Sequence, residues 1–303
     1  MNFLKTTMLL AALTALFMAL GYTLGGTGGA FIALLVAAGM NLFTFWNPDK
    51  IVLKMHKAIE VGPDSPTASQ RNFHALVAGL AQRAELPMPR VYMIESANPN
   101  AFATGRDPDH AAFAATTGLL AMLDRDEIEG VMAHELAHVK HRDTLIMTMV
   151  ATIAGAISML ANFGLFFRSR DSSFLPALLA VFVAPFAAMI VQMAISRTRE
   201  FGADRGGSEI SGKPLALAAA LGKIAGPAAH TPNPVTERNP AAAQLYIVPV
   251  GVRSLFSTHP DTADRIAALE DIAAQMGQVP RVAAAASVPV TASHSALDPL
   301  GRR

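Results

Sequence analysis

The chain contains no cysteine. That absence excludes disulfides, thiolate metal sites and cysteine-nucleophile mechanisms, so any metal must be held by His, Asp or Glu. Charge is scarce as well. Asp, Glu, Lys and Arg make up 16% of the 303 residues, whereas soluble domains carry about a quarter. With 52% hydrophobic residues beside it, the shortfall points to a membrane protein. The net charge is only +1 and no basic stripe carries interleaved aromatics, which excludes nucleic acid as a partner. There is no internal repeat, and the length suits about two average domains.

The hydrophobic residues are gathered into four stretches long enough to span a bilayer, which takes about 20 residues. They run from Thr6 to Gly25, Gly29 to Trp46, Thr144 to Phe167 and Phe174 to Ser196. The first two are separated by "GYTLGGTGG" and read as a tight helical hairpin. Lys5 and the first apolar run would also fit a secretory signal peptide. No clear A-x-A site follows, however, and a second stretch begins at once, which favours a retained anchor. Lys50, Lys54 and Lys57 follow the second stretch, Lys140 and Arg142 precede the third, and Arg197 and Arg199 follow the fourth. Positive residues favour the cytoplasmic side, so the segments these charges flank are expected there. Arg168 and Arg170 run against this pattern. Either their loop is translocated despite its charge, or the second pair does not fully cross.

Between these stretches the chain reads as a mainly α protein with a small β-sheet. Residues 47–65 read as a linker ending in "GPDSP". Pro66 to Ala84 has Phe73, Leu76, Val77 and Leu80 at helical spacing. "RVYMIE", "AFAT" and "AAFAATT" read as short strands, with "SANPN" as a turn. Asp124 caps the next helix, with Glu127 three residues on completing a capping box. "KPLALAAALGKIA" is a further helix, followed by a loop, "GPAAHTPNPVTERNP". Thr258 to Met276 is a terminal helix with Pro260 in its first turn. These readings divide the chain into an N-terminal transmembrane hairpin (1–47), a first catalytic segment (48–143), a second hydrophobic hairpin (144–196), a second catalytic segment (197–277) and a disordered tail (278–303).

The chemistry is concentrated in "GVMAHELAHVKHRDT", Gly130 to Thr144. His134 and His138 are four residues apart, so on a helix they share one face and can share one ion. Zinc accepts such nitrogen ligands. Glu135 projects beside them and can act as general base on a water the ion activates. The competing reading is a juxtamembrane amphipathic helix with surface histidines. A catalytic zinc usually takes three protein ligands. His141 and Thr144 occupy the positions that an H-x-x-G-x-x-H extension would fill with Gly and His. A glutamate from a second helix is the other common solution, and "SRTREFGADRGG" follows the fourth stretch. Glu200 can bind the metal, and Asp204, four residues on, can fix the tautomer of a ligand histidine. The bland alternative is a charged helix end with Arg199 and Arg205 paired to these acids.

"HELAHVKHRDT", "REFGADRGG", "NPNAFATG" and "FSTHPDTADRIAAL" occur in the order seen in the HtpX-type membrane zinc endopeptidases, which the chain resembles over roughly residues 1–276. These share a clan with the CAAX-prenyl endopeptidases. The resemblance implies integral membrane helices with a zincin-like metalloprotease domain of gluzincin type at the cytoplasmic face. It also implies an ATP-independent protease of membrane-protein quality control in the bacterial inner membrane. His134, His138 and Glu200 would bind one zinc ion per subunit, with Glu135 as catalytic base. Misfolded or damaged membrane proteins would be the substrates, and the lipid bilayer a standing partner. Under the resemblance, Asn100, Ala101, Phe102 and Ala103 become an edge strand that holds extended substrate by main-chain hydrogen bonds. From composition alone they are a turn and a small-residue strand. His259 and Arg265 begin a helix, and either could lie near the metal and stabilise an oxyanion. His56, His74, His110 and His230 read as surface or packing residues. Lys140, His141 and Arg142 read as interfacial anchors.

The rival functions are a site-specific processing protease of the prenyl-protein endopeptidase type and a non-catalytic scaffold retaining a structural metal. Four spans are too few to enclose the chamber the first requires. The second has no need of Glu135. A zinc transporter would place His and Asp within its spans, and the third and fourth stretches contain neither.

Overall fold

The computed structural model describes residues 2–145, 197–230 and 261–278. Helix α1 (Asn2–Trp46) is two arms joined at Gly25 and Gly26, whose backbones leave the helical region; Gly26 has φ +58. That left-handed conformation costs glycine nothing and an L-residue with a Cβ dearly. The arms meet where a Cβ on Gly21 would lie 2.4 Å from the carbonyl oxygen of Gly29. The expected hairpin is therefore present. Its second arm leaves Phe31, Ile32, Leu35, Leu42, Phe43 and Trp46 exposed. Among the described residues, no helix is long and apolar enough to cross a membrane. The third and fourth apolar stretches lie almost wholly outside the described residues, as does the tail after 278.

The expected linker is more ordered than its composition suggested. It holds α2 (Pro48–Met55), with Pro48 in its first turn, and strand β1 (Ile59–Val61). An eight-residue helix and a three-residue strand are too short to show a period in sequence. Helix α3 (Ala68–Arg83) begins with a capping box between Thr67 and Gln70. Strands β2 (Arg90–Ile94), β3 (Ala101–Thr104) and β4 (Ala112–Thr116) follow. After a short helix α4 (Thr117–Met122) comes α5 (Arg125–Lys140). Its Asp124–Glu127 capping box is formed as expected, with both reciprocal hydrogen bonds at 2.9 Å.

Beyond the undescribed segment lie α6 (Arg197–Ser211), α7 (Pro214–His230) and α8 (Thr262–Gln275). Helix α7 continues through Gly226 and Pro227, which the sequence suggested as the start of a loop. Helix α8 starts later than expected. Asp261 caps it through a hydrogen bond from the amide of Ala263, so Pro260 precedes the cap instead of lying in the first turn.

The strands form one mixed sheet in the order β1-β2-β4-β3. β1 and β2 are antiparallel, β2 and β4 parallel, and β3 runs antiparallel to β4 at the outer edge. Period-two alternation sends the side chains to two cores. Val91, Ala101, Ala103, Phe113 and Ala115 join the main core with α3, α5, α6, α7 and α8. Tyr92, Ile94, Phe102, Ala112 and Ala114 pack against Val52 and Leu53 of α2. Helix α5 is the centre of the main core, and every residue from Glu129 to Val139 is buried. This is the mainly helical fold with a small sheet that the sequence led us to expect.

Candidate metal centre

Helix α5 contributes His134, Glu135 and His138, and α6 contributes Glu200 and Asp204. All five are buried, none more than 6% exposed. A juxtamembrane helix with surface histidines is therefore not what the chain builds. The two helices come into close contact at Gly207, where a Cβ would lie 2.7 Å from the backbone nitrogen and Cα of His134. A residue without a side chain at that point brings α6 against α5 and carries Glu200 to the histidines.

Both histidines turn the same nitrogen toward Glu200. His134 Nε2 lies 3.7 Å from Glu200 Oε2, and His138 Nε2 lies 3.7 Å from Glu200 Oε1. One ligand atom from each of the three residues falls within 4.8 Å of the others. Ligands at zinc's usual bond lengths stand about 3.4 Å apart around a tetrahedron, so the spacing fits such an ion. Two nitrogens and one carboxylate oxygen are also a donor set that zinc takes. Charge agrees with the fit. The carboxylates of Glu135, Asp143, Glu200 and Asp204 outnumber the guanidiniums of Arg199 and Arg265 around the site by two.

The backs of the histidines face other carboxylates. Asp204 Oδ1 lies 2.9 Å from His134 Nδ1. Arg265, from α8 and only 2% exposed, grips Asp204 with two hydrogen bonds of 2.9 and 2.7 Å. Its Nη1 also lies 3.4 Å from Glu200 Oε2. Burial opposes the charge on Asp204, but hydrogen bonds and charge from His134 and Arg265 outweigh it and hold the carboxyl below its usual range. On the second histidine, Asp143 Oδ2 lies 3.5 Å from Nδ1 of His138. Burial works against a charged imidazole there, yet Asp143, Glu200 and Glu135 together raise the His138 pKa. Glu135 is pushed the other way from Asp204. Its desolvation outweighs the nearby histidines and lifts its pKa above the ordinary carboxyl value, a direction suited to a group that accepts and returns protons.

Glu135 also marks the sheet edge. Its Oε2 accepts a hydrogen bond from the amide of Ala103 at 2.9 Å. Asn100, by contrast, uses both main-chain groups on Thr116: its carbonyl accepts from the Thr116 amide at 2.9 Å, and its amide donates to Thr116 Oγ1. Alternation along a strand then turns the main chain of Asn100 and Phe102 inward and that of Ala101 and Ala103 outward. Only two of the four expected edge residues thus present backbone on the side of Glu135. Phe102 packs its ring against His56 instead, with centroids 5.2 Å apart.

The remaining expectations divide. Arg265 reaches the centre: its Nη2 lies 3.5 and 3.4 Å from His134 Nδ1 and Nε2, and its Nη1 faces Glu200 Oε2. His259 lies outside the described residues. Neither Arg199 nor Arg205 forms its ion pair or hydrogen bond among the described residues with Glu200 or Asp204, although Glu200 still acts on the Arg199 charge. Arg199 faces Asp143 at 3.9 Å, and Arg205 donates to Gln275. Lys140 is exposed, as are His141 and Arg142, and donates to the Ala84 carbonyl at 3.2 Å. His56 is buried, with its pKa lowered to about 4 by desolvation. The sequence reading missed Asp143. Its signal was a carboxylate immediately beyond the helix that carries both histidines.

Comparison with known proteins places this arrangement. The model of peptidase family M48 matches residues 67–273. Among solved structures, the crystal structure of S. mikatae Ste24p is similar at 17% sequence identity and a TM-score of 0.49. That match covers 89% of this chain and 65% of Ste24p. The family match runs from the cap of α3 to the end of α8 and contains every described residue of the centre, so the chain belongs to peptidase family M48.

Proposed function

We infer that the protein is a membrane-bound zinc metalloendopeptidase that hydrolyses misfolded or damaged membrane proteins at the cytoplasmic face of a bacterial inner membrane. One observation carries the catalytic part of this reading. Glu135 is buried beside His134, His138 and Glu200 and touches the edge strand through Ala103. A site kept only for stability has no use for that carboxylate, so the geometry favours a protease over a scaffold.

His134, His138 and Glu200 would hold one zinc ion, which when bound supplies Lewis-acid activation of water and of a peptide carbonyl. The chain's own groups do the rest. Extended substrate adds to the outer edge of β3, where Ala101 and the carbonyl of Ala103 offer main-chain groups irrespective of substrate side chains. Such recognition suits a protease of many damaged proteins better than a site-specific processing enzyme. Glu135 takes the proton from the attacking water and returns it to the leaving amine. Asp204 and Arg265 keep His134 turned with Nε2 forward. The membrane reading draws on the exposed apolar side of the second α1 arm and on the uncharged stretches within residues 144–196. The cytoplasmic side follows from Lys50, Lys54 and Lys57.

The test is Glu135→Gln in the full chain purified in detergent, with an unfolded membrane protein as substrate. Zinc content should stay at the wild-type level while hydrolysis falls by about 10²–10⁴-fold. Cleavage at the wild-type rate would remove Glu135 from the mechanism.

A further inference from the structure

The two ligand histidines are supported by matching arrangements, and the second has no role in the reading above. His134 presents Nε2 to Glu200 and Nδ1 to Asp204, and Asp204 is held by Arg265. His138 presents Nε2 to Glu200 and Nδ1 to Asp143, and Asp143 faces Arg199. Each imidazole thus has a carboxylate at Nδ1 and a guanidinium paired with that carboxylate.

The chain builds the second arrangement by local means. Helix α5 ends at Lys140, and Arg142 then adopts φ +59, a conformation L-residues rarely take. The turn is closed by the Asp143 amide, which donates to the His138 carbonyl at 2.9 Å. It reverses the chain so that the Asp143 side chain comes back beneath the His138 ring, where it is 4% exposed. Arg199 immediately precedes Glu200, so the helix that delivers the third ligand also delivers the cation opposite Asp143. The guanidinium nitrogens Nη1 and Nη2 of Arg199 are buried, with no hydrogen-bond partner among the described residues. A buried cation in that state depends on nearby carboxylates; among the described residues Asp143 is within ion-pair distance, and Glu200 adds its charge.

The geometry points to Asp143 as the residue that positions His138 for the metal, with Arg199 fixing the Asp143 carboxylate. This rests on the metallopeptidase reading above. A carboxylate on Nδ1 holds the proton there and leaves the Nε2 lone pair directed at Glu200, which raises the basicity of the ligand and stops the ring from turning. Asp143 and Arg199 flank the segment from 144 to 198, so the pair also pins the two ends of that segment to one ligand.

Zinc affinity measured by chelator competition on the full chain in detergent tests this, with the visible spectrum of the cobalt-substituted protein and the Tm of the metal-free protein alongside. Asp143→Ala should raise the zinc Kd by about 10–100-fold and shift the cobalt bands. Asp143→Asn, which keeps an oxygen acceptor, should lose less, and it carries the test if the alanine variant does not fold. Arg199→Gln should weaken zinc a few-fold, and Asp143→Ala with Arg199→Gln should bind no more weakly than Asp143→Ala alone, because Arg199 acts through Asp143. A lower Tm with zinc Kd and cobalt spectrum unchanged would reduce Asp143 to a structural residue and overturn the inference. Additive losses in the double variant would remove Arg199 from it. A wild-type protein that binds no zinc would overturn this inference together with the proposed function, whereas wild-type binding with an unaffected Asp143→Ala would overturn this inference alone.

Discussion

Gly207→Ala isolates the contact on which the centre depends. The added Cβ would lie 2.7 Å from His134 N and Cα and 3.0 Å from Ala133 C. Ordinary contact begins near 3.4 Å, so α5 and α6 must separate by at least about 0.7 Å. All three atoms are backbone, and no side chain can turn aside to relieve the clash. Overpacking of this kind costs about 1–3 kcal/mol, and the better helix propensity of alanine returns up to about 1 kcal/mol. Net stability should therefore fall by at most about 3 kcal/mol. Function should suffer more. Gly207 lies two helical turns from Glu200 on the same face, and catalytic constellations tolerate only about 0.5 Å of displacement. Activity should drop on the order of 10²-fold, with weaker zinc binding. Gly202→Ala supplies the control. It makes the same chemical change on the same helix, but its Cβ meets nothing within 4 Å among the described residues. That variant should keep its activity and gain up to about 1 kcal/mol. The two variants are compared by peptide hydrolysis, zinc titration and thermal unfolding. Indistinguishable behaviour would refute the reasoning that Gly207 sets the spacing of the metal ligands.

Three further outcomes follow. Glu200→Gln should abolish zinc retention after dialysis, whereas Asp204→Asn should lower affinity by about 10–100-fold; equal mild effects would mean Glu200 is not a ligand. Stability should fall with pH between 6.5 and 4, because burial holds the folded-state pKa of His56 at about 4 and the unfolded chain takes up that proton first. The contribution is present above the unfolded pKa and lost toward the folded one, about 3 kcal/mol in full. A His56→Gln variant that denatures with an unchanged pH slope would contradict it. Finally, Ser69→Cys, at an exposed position of α3 in a chain without native cysteine, should resist a membrane-impermeant thiol reagent in intact cells. Labelling without lysis would reverse the proposed orientation.

What could be read from sequence was local. The shared face of His134 and His138 follows from the helical period alone, and the Asp124–Glu127 cap from a spacing of three. The short strands were visible because alternating apolar residues occupy both faces of a buried sheet. Their order was not, since β4 inserts between β2 and β3 through pairings that no single strand encodes. The edge position of β3, and the outward turn of Ala101 and Ala103, depend on that insertion.

The charged partners show the same limit most clearly. Arg199 and Arg205 stand next to Glu200 and Asp204 in sequence, and adjacency suggested that they pair. On a helix, however, neighbouring residues point about 100° apart, and only residues three or four apart meet. An acid facing α5 therefore leaves its sequence neighbour facing elsewhere. The cation Asp204 needs must come from another element, and it comes from Arg265, 61 residues away. Arg199, turned aside from Glu200, reaches Asp143, the residue that the φ +59 turn at Arg142 sends back beneath His138. Helix geometry that defeats the simple pairing of neighbours is thus what provides each histidine of the centre with a carboxylate and a guanidinium drawn from separate parts of the chain.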